Sequence, residues 1–328
     1  MTATGPRRRR GRILFSILLL LFAIGVMPLL WTSYRLVSDM GRGLELNQKQ
    51  MQLDKAHSLS SQVAMYVQSV RDQVSVIART LEIDAERVPF SERLVRIRDQ
   101  EALDRYIDGE RFIYVNVVDA DSGIGPWSGL RLQDVAVQSM LEELFRSGQH
   151  GTPRVSVPVV STSLQEPVLV LEEPIAAAGE IQGVVLAVVS LQRIRLMTAE
   201  SGNRGLLDVY VVDNRGRLIA HSNPKTPLAT DVSGLDIVRF FLESQGTTGA
   251  TVPFAVPAEG GPKKMLGTYR PVPDNSGWGV IVQVEEEKAY YDAIVLRRQS
   301  TILVGVVTAL AVVLGSLFAG QISRPIRT

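Results

Sequence analysis

The sequence predicts an α+β protein: a long N-terminal helix, two tandem modules with antiparallel sheets, and a transmembrane helix on either side. Three observations predict it. Two charge-free apolar runs lie near the ends of the chain. An apolar stripe at helical spacing follows the first run. A strand-rich pattern then occurs twice, with matched features 94 to 98 residues apart.

The first apolar run lies between Arg12 and Arg35 and includes LLLLF at Leu18 to Phe22. As a helix, residues 13–34 would reach about 33 Å, close to the thickness of a bilayer's hydrocarbon core. The second lies between Arg298 and Arg324 and centres on TILVGVVTALAVVLGSLFAG. Lipid offers the backbone no hydrogen-bond partner, so both are expected to be helical. Arg7, Arg8, Arg9, Arg10 and Arg12 precede the first run and place that end in the cytoplasm. Two crossings return Arg324 and Arg327 to the same side. A cleaved signal peptide is the alternative for the first run. The run ends in PLLWTSY without a small-x-small cleavage site, and Trp31 and Tyr34 suit a membrane interface.

Composition bounds the rest. The chain has 328 residues, 45% hydrophobic and 21% charged, with a net charge of +1. That suits a folded body with membrane segments, and no global field recruits nucleic acid. Cysteine is absent, which excludes disulfides and thiolate metal sites.

From Leu44 to Val88 the chain is polar and nearly free of Gly and Pro. Val63, Val67, Val70, Val74, Ile77 and Leu81 alternate spacings of four and three, one stripe on a helix. A helix from about Ser38 to Leu81 would extend roughly 65 Å. The stripe suits packing on its own domain, and its heptad spacing also suits a dimer contact near the membrane.

The repeat opens with FIYVNVVDADSG at Phe112 and with LDVYVVDNRG at Leu207. Both are apolar strands ending in Val-Val-Asp and a turn. Each copy continues with a short amphipathic helix, VQSMLEELFRSG or LDIVRFFLESQG, expected to stop at Gly148 or Gly246. Three strands follow: TPRVSVPVVS, PVLVLEEPI and GVVLAVVSL in the first copy; GATVPFAVP, KMLGTYRPV and GWGVIVQVE in the second. Asp119 matches Asp213, and Gly183 matches Gly279. The order is strand, strand, helix, then three strands, which makes an antiparallel sheet with helices on one face.

These features together resemble a double Cache sensor domain, a pair of tandem PAS-like modules held outside bacterial cells between two membrane spans. The carriers are the long leading helix, the two repeats and the ending GTYRPVPDNSGWGVIVQVEEEKAYYDA. The tail ISRPIRT, with Pro325 and Ile326, looks like the first turn of a HAMP linker. The resemblance therefore implies a chain cut just before an output domain: a histidine kinase first, or a chemoreceptor, cyclase or phosphatase. It also implies a homodimer in the inner membrane, with a periplasmic or extracellular sensor region and a small-molecule ligand. Membrane lipid is the other expected partner; nucleic acid is not expected.

The expected map is a basic cytoplasmic N-terminus at 1–12, a first span at 13–34, the sensor region at 35–298, a second span at 299–322 and the start of the linker at 323–328. Within the sensor region, 38–88 is the long helix, 89–195 the membrane-distal module and 196–290 the membrane-proximal module.

No catalytic constellation is legible. His57, His150 and His221 have no metal-ligand spacing, and no GxSxG elbow or P-loop occurs. No metal and no cofactor are expected. Glu172 and Glu173 are adjacent, so on a strand they point to opposite faces. Asp119 and Asp213 end strands at turns and read as structural. Glu285, Glu286 and Glu287 begin a helix, where the helix dipole favours negative charge.

The resemblance implies a ligand in the distal module, between sheet and overlying loops. Strict alternation from Phe112 puts Phe112, Tyr114 and Asn116 on one face and Ile113, Val115 and Val117 on the other. Tyr114 and Asn116 then offer directed hydrogen bonds. Trp127 and Arg131 lie on the Gly-rich stretch GIGPWSGLR and suit a lid, while Arg154 and Glu172 on later strands add charge. Amino-acid-binding members carry Arg-x-Trp-Tyr-x-Asp in this region. Here Gly125-Pro126-Trp127-Ser128-Gly129 stands instead, so the resemblance does not extend to that ligand. Tyr210, His221, Tyr269 and Arg270 offer a second pocket. The function expected is ligand sensing coupled across the membrane. The alternative is a membrane-anchored extracytoplasmic binding or scaffold protein without an output domain.

Overall fold

The computed structural model describes residues 27–83, 87–99, 111–119, 134–148, 151–177, 179–202, 207–244, 248–257, 261–274, 276–289 and 291–322. Residues 50–286 form one compact unit, and the described parts of 1–49 and 287–328 form another.

Helix α1 (Met27–Glu82) carries the expected stripe. Val63, Val67, Val70, Val74, Ile77 and Leu81 are all at most 2% exposed, and Ala56 and Leu59 extend the stripe towards the N-terminus. Burying each Val, Leu or Ile contributes on the order of 1.5–3 kcal/mol. Polar contacts tie the same helix to both modules. Tyr66 Oη donates to Ser190 O, and Arg111 Nη1 donates to Ser69 Oγ at 3.1 Å. Thr268 Oγ1 donates to Gln52 Oε1 at 3.2 Å, and Lys55 Nζ donates to Ser201 O at 3.2 Å. Helix α2 (Phe90–Asp99) follows, and buried Arg93 joins it to Leu81 O at the end of α1 and to the Gln182 side chain.

In the first module, strands β1 (Phe112–Asp119), β2 (Arg154–Val155), β3 (Val159–Ser161), β4 (Glu166–Ala177) and β5 (Glu180–Ser190) form one sheet. Its order is β1-β5-β4-β2, with β3 also on β4, and every pairing is antiparallel. Helix α3 (Val135–Gly148) covers one face with Val137, Leu141, Leu144 and Phe145, packed on Tyr114, Val118, Val168, Val170, Val184, Leu186 and Val188. The odd-numbered residues of β4 and β5 point to the other face, where Leu169, Leu171, Val185 and Ala187 are also buried. Coverage on both sides explains why β4 and β5 read as continuous apolar runs rather than as alternation.

Asp134 sets the position of α3. Its Oδ1 accepts from Ala136 N at 3.1 Å, and its Oδ2 accepts from Thr162 N at 2.6 Å. Burial raises its pKa, but hydrogen bonds from Ser161, Thr162, Val137 and Ala136 outweigh that and hold it below the ordinary carboxylate value.

The second module repeats the plan after helix α4 (Gln192–Ser201). Strands β6 (Asp208–Val212), β7 (Leu218–His221), β8 (Ala250–Val256), β9 (Lys263–Pro271) and β10 (Gly279–Glu285) are ordered β7-β6-β10-β9-β8. Helix α5 (Asp236–Glu243) packs on this sheet through Ile237, Val238 and Phe241. In both modules the last strand lies between the first strand and the penultimate one. The first-module counterpart of β7 would fall at 120–133, outside the described residues.

Three local expectations are corrected. The β1–β5 register shifts between Phe112 and Tyr114, because Phe112 faces Val189 while Tyr114 faces Val188. Phe112 therefore does not share a face with Tyr114, and Ile113 packs on the α3 side instead. Helix α5 ends at Glu243, with Ser244 as a right-handed C-cap at φ −69°, and the expected stop, Gly246, lies outside the described residues. Helix α1 ends at Glu82 rather than extending to 88.

Among the described residues no helix is long and apolar enough to cross a membrane. Residues 1–26 lie outside the description, as do several side chains of the last helix, α7 (Tyr291–Ile322), at 311–312, 315–316 and 318–320. Between β10 and α7 lies the short helix α6 (Glu286–Ala289), which begins within the expected acidic run.

The matched glycines Gly183 and Gly279 share a physical cause. A Cβ on Gly279 would lie 2.5 Å from Phe241 Cζ, and one on Gly183 would lie 2.4 Å from Phe90 Cζ. Each permits an aromatic ring to close on the start of the last strand. Gly279→Ala is expected to destabilise the unit by about 1–3 kcal/mol in chemical denaturation. Adding Phe241→Leu should recover part of the loss; no recovery would contradict the ring as the cause.

Candidate functional site

Four antiparallel strands place Asn116, Leu186, Glu172 and Arg154 opposite one another, in one row across the first sheet. Directly paired residues share a face, so this row lies on the α3 side. The next row is Tyr114, Val188 and Val170. There Ser156 caps the sheet: Val170 N donates to Ser156 Oγ at 2.9 Å, and Ser156 N donates to Val170 O at 2.8 Å.

Glu172 is 1% exposed, and neither carboxylate oxygen has a hydrogen-bond partner among the described residues. Burial pushes its pKa up to about 7; Arg154 pulls it down and Glu173 pushes it up. Glu173 points to the opposite face, as adjacency on a strand requires. Burial raises it too, while a hydrogen bond from Ser75 and the charge of Arg79, both on α1, oppose the rise.

Glu172 and Arg154 line a cleft of about 750 Å³. Met140, Glu143 and Leu144 of α3 form one wall with Pro153 to Val157. Arg71 and Val74 of α1 contribute to the lining, as do Arg215, Ser276 and Trp278 of the second module. The volume lies within the range of small-molecule sites.

The second-module contribution rests on the Val-Val-Asp turn. Asp213 is buried, and its Oδ1 accepts from Arg215 N and Arg217 N, both at 2.8 Å, while Arg217 Nε donates to Oδ2 at 3.0 Å. Gly216 completes the turn at φ +78°, a left-handed conformation that favours glycine. This fixes the backbone from which Arg215 projects. Arg71 Nη1 donates to Asp274 O at 3.3 Å, beside Ser276 and Trp278.

Of the six predicted ligand residues, the cleft brings together Arg154 and Glu172. Asn116 lies in the same row at the far side of the sheet, and Tyr114 belongs to the core under α3. Trp127 and Arg131 lie outside the described residues. In the second module Tyr210 and Tyr269 fill the core rather than a pocket. Tyr210 donates to Gln283 Oε1 at 3.0 Å and stacks on His221 at 5.5 Å, and burial holds the His221 pKa below its ordinary value despite Asp208. Sequence reasoning missed Arg71, Arg215, Ser276 and Trp278. The turn signature at Asp213 was visible and could have drawn attention to Arg215. Nothing in the sequence signalled that this turn lines the same cleft as α1. Among the described residues no group of three or more His, Cys, Asp or Glu could hold a metal ion.

The raised pKa of Glu172 has a signed consequence. Between 4.5 and about 7 the folded state binds this proton more tightly than the unfolded chain. Its favourable contribution is complete below 4.5 and is lost as the pH rises through 7. Glu172→Gln, which stays neutral, should match the parent at pH 4.5 and exceed its stability at pH 8 by on the order of 2 kcal/mol. Parallel pH–stability curves for the two proteins would contradict this.

Comparison with known proteins agrees with this architecture. A family model described as Cache domain (dCache_1) matches residues 43–293. The sensory domain of the Campylobacter jejuni chemoreceptor Tlp3 superposes with a TM-score of 0.52 at 15% identity, over 76% of this chain and 98% of that one. The ligand-binding domain of the same receptor in complex with L-valine gives 0.52 at 15% identity, over 76% and 97%. The ligand-binding domain of the Pseudomonas aeruginosa PAO1 amino acid chemoreceptor PctC, in complex with GABA, gives 0.51 at 14%, over 72% and 99%. At such identities the likeness is one of fold. No curated protein sequence matches. With the family match covering most of its length, the chain belongs to the Cache domain family, as a double Cache sensor domain.

Proposed function

We propose that this chain is the extracytoplasmic input of a transmembrane receptor, and that it binds a small molecule in the cleft beside Glu172. One observation carries the reading. Glu172, buried to 1% exposure with no hydrogen-bond partner for either oxygen among the described residues, is part of the lining of a cleft of ligand size. A buried group of this kind costs free energy unless something satisfies it. The similar domains of Tlp3 and PctC, in complex with L-valine and GABA, support small amine-bearing molecules as the first class to try.

The membrane placement is part of the same proposal. Spans at 13–34 and 299–322 would hold the two modules, 89–195 and 196–290, outside the cell. The exposed apolar side chains of α7, including Ile302, Leu303, Val306, Leu310, Val313, Leu314 and Leu317, support a bilayer around that helix. Ligand binding would favour one of two arrangements in proportion to its difference in affinity between them. The shift would leave through β10 and the helical stretch after it, which contains no Pro or Gly between Val280 and Thr301. An output domain beyond a HAMP-like linker, a homodimer and an inner-membrane location complete the reading.

A thermal-shift screen of residues 35–298 against metabolites tests the binding step. A compound at a hundred times its Kd should add about 2.7 kcal/mol, and Glu172→Gln should abolish that gain. No stabilising compound, or one indifferent to Glu172→Gln, would contradict the assignment. Inserting Gly-Gly after Tyr291 in the receptor should leave binding intact and remove the ligand response; an unchanged response would contradict the route.

A further inference from the structure

The cover around Glu172 is unequal. Helix α3 is firmly seated: Asp134 ties its start to Thr162, and Val137, Leu141, Leu144 and Phe145 hold it in the core. Strand β2 has much less to hold it. It consists of Arg154–Val155 and lies at the edge of the sheet, on β4. Pro153 and Pro158 bracket it, and proline has no N–H with which to extend a ladder. Ser156 adds to the attachment, donating its N–H to Val170 O and accepting from Val170 N.

Beside this strand Glu172 lies almost wholly out of water, with no hydrogen bond to either oxygen among the described residues. The charged groups near it come from several elements. Arg154 stands directly across the β2–β4 pairing, at an exposed position. Glu143 of α3 lines the same cleft, as do Arg71 of α1 and Arg215 of the second module. On the other side its row continues with Leu186 of β5 and Asn116 of β1. Glu173 is adjacent but points to α1, where Ser75 bonds it and Arg79 and Glu82 act on it with opposite signs. A neutral carboxyl tolerates such a site far better than a carboxylate, which loses much more hydration on burial. An ionised Glu172 is met by Arg154 turning in from its exposed position, or by water entering beside β2. Either change falls on a strand with little to resist it.

We propose that Glu172 and β2 form a proton-operated latch: with the carboxyl protonated β2 lies closed on β4, and loss of the proton releases it. This rests on the reading of the chain as an extracytoplasmic sensor input and adds its regulation by external acidity, because the wall of the cleft from Pro153 to Val157 moves with β2. The direction follows from linkage. Burial raises the Glu172 pKa from 4.5 to about 7, with Arg154 opposing the rise, so the closed form holds the proton more tightly than an open one. Closure is favoured most below 4.5, weakens as the pH rises, and levels off above about 7.

The test uses the full chain in nanodiscs with no ligand added. Hydrogen exchange of the 154–157 amides, corrected for intrinsic rates, should give a local opening constant that rises about 10- to 100-fold from pH 5 to pH 8. Glu172→Gln should remove the rise and keep the segment as protected at pH 8 as the parent is at pH 5. Glu173→Gln, on the α1 side, should retain the rise. Arg154→Gln, at an exposed position where folding is not at stake, should move the levelling-off to higher pH. A flat profile in the parent, an equal rise in Glu172→Gln, loss of the rise in Glu173→Gln, or an unmoved profile in Arg154→Gln would each overturn the latch. The metabolite screen decides the ligand reading separately, since no arm of this test contains a ligand.

Discussion

The architecture depends on one buried stripe. Residues from Ala56 to Leu81 on α1 present an apolar face that is almost wholly excluded from water. A stripe of that length exceeds what either small sheet could cover, and hydrogen bonds from the same helix reach both modules. The apolar faces of β4 and β5 away from α3 need cover as well. Without this shared helix, two sheets of five short strands would each expose an apolar face, and each module would be too small to compensate. The spine thus makes the modules one body and sets the junction where the cleft opens.

The chemistry of the cleft follows from that placement. Glu172 is buried because α3 and β2 close over its end of the sheet, not because a partner holds it there. Arg71 is positioned by the helix, and Arg215 by a turn whose buried Asp213 fixes the backbone. Separate elements of both modules therefore contribute to the lining of the cleft.

Much of this was legible in the sequence, and for local reasons. The α1 stripe and the apolar runs of β4 and β5 are periodicities that side-chain burial imposes directly. The matched Gly183 and Gly279 marked the point where an aromatic ring meets the last strand, and Asp213 read correctly as a turn cap. Glu172 and Arg154 drew attention because charge within an apolar strand is conspicuous. What escaped were properties of pairing and docking. The irregularity at Phe112–Tyr114 depends on β5, and α5 ends at Glu243 with Ser244 as its C-cap. Arg71 and Arg215 look like ordinary solvated charges until the fold brings both to the lining of one cleft.

Native-state hydrogen exchange tests the spine most directly. Core amides of β4 and β5 in the first module, and of β9 and β10 in the second, should share one global opening free energy, and Val67→Ala should lower all of them together. Separate opening free energies for the two sheets, with only one responding to Val67→Ala, would contradict a body held together by α1.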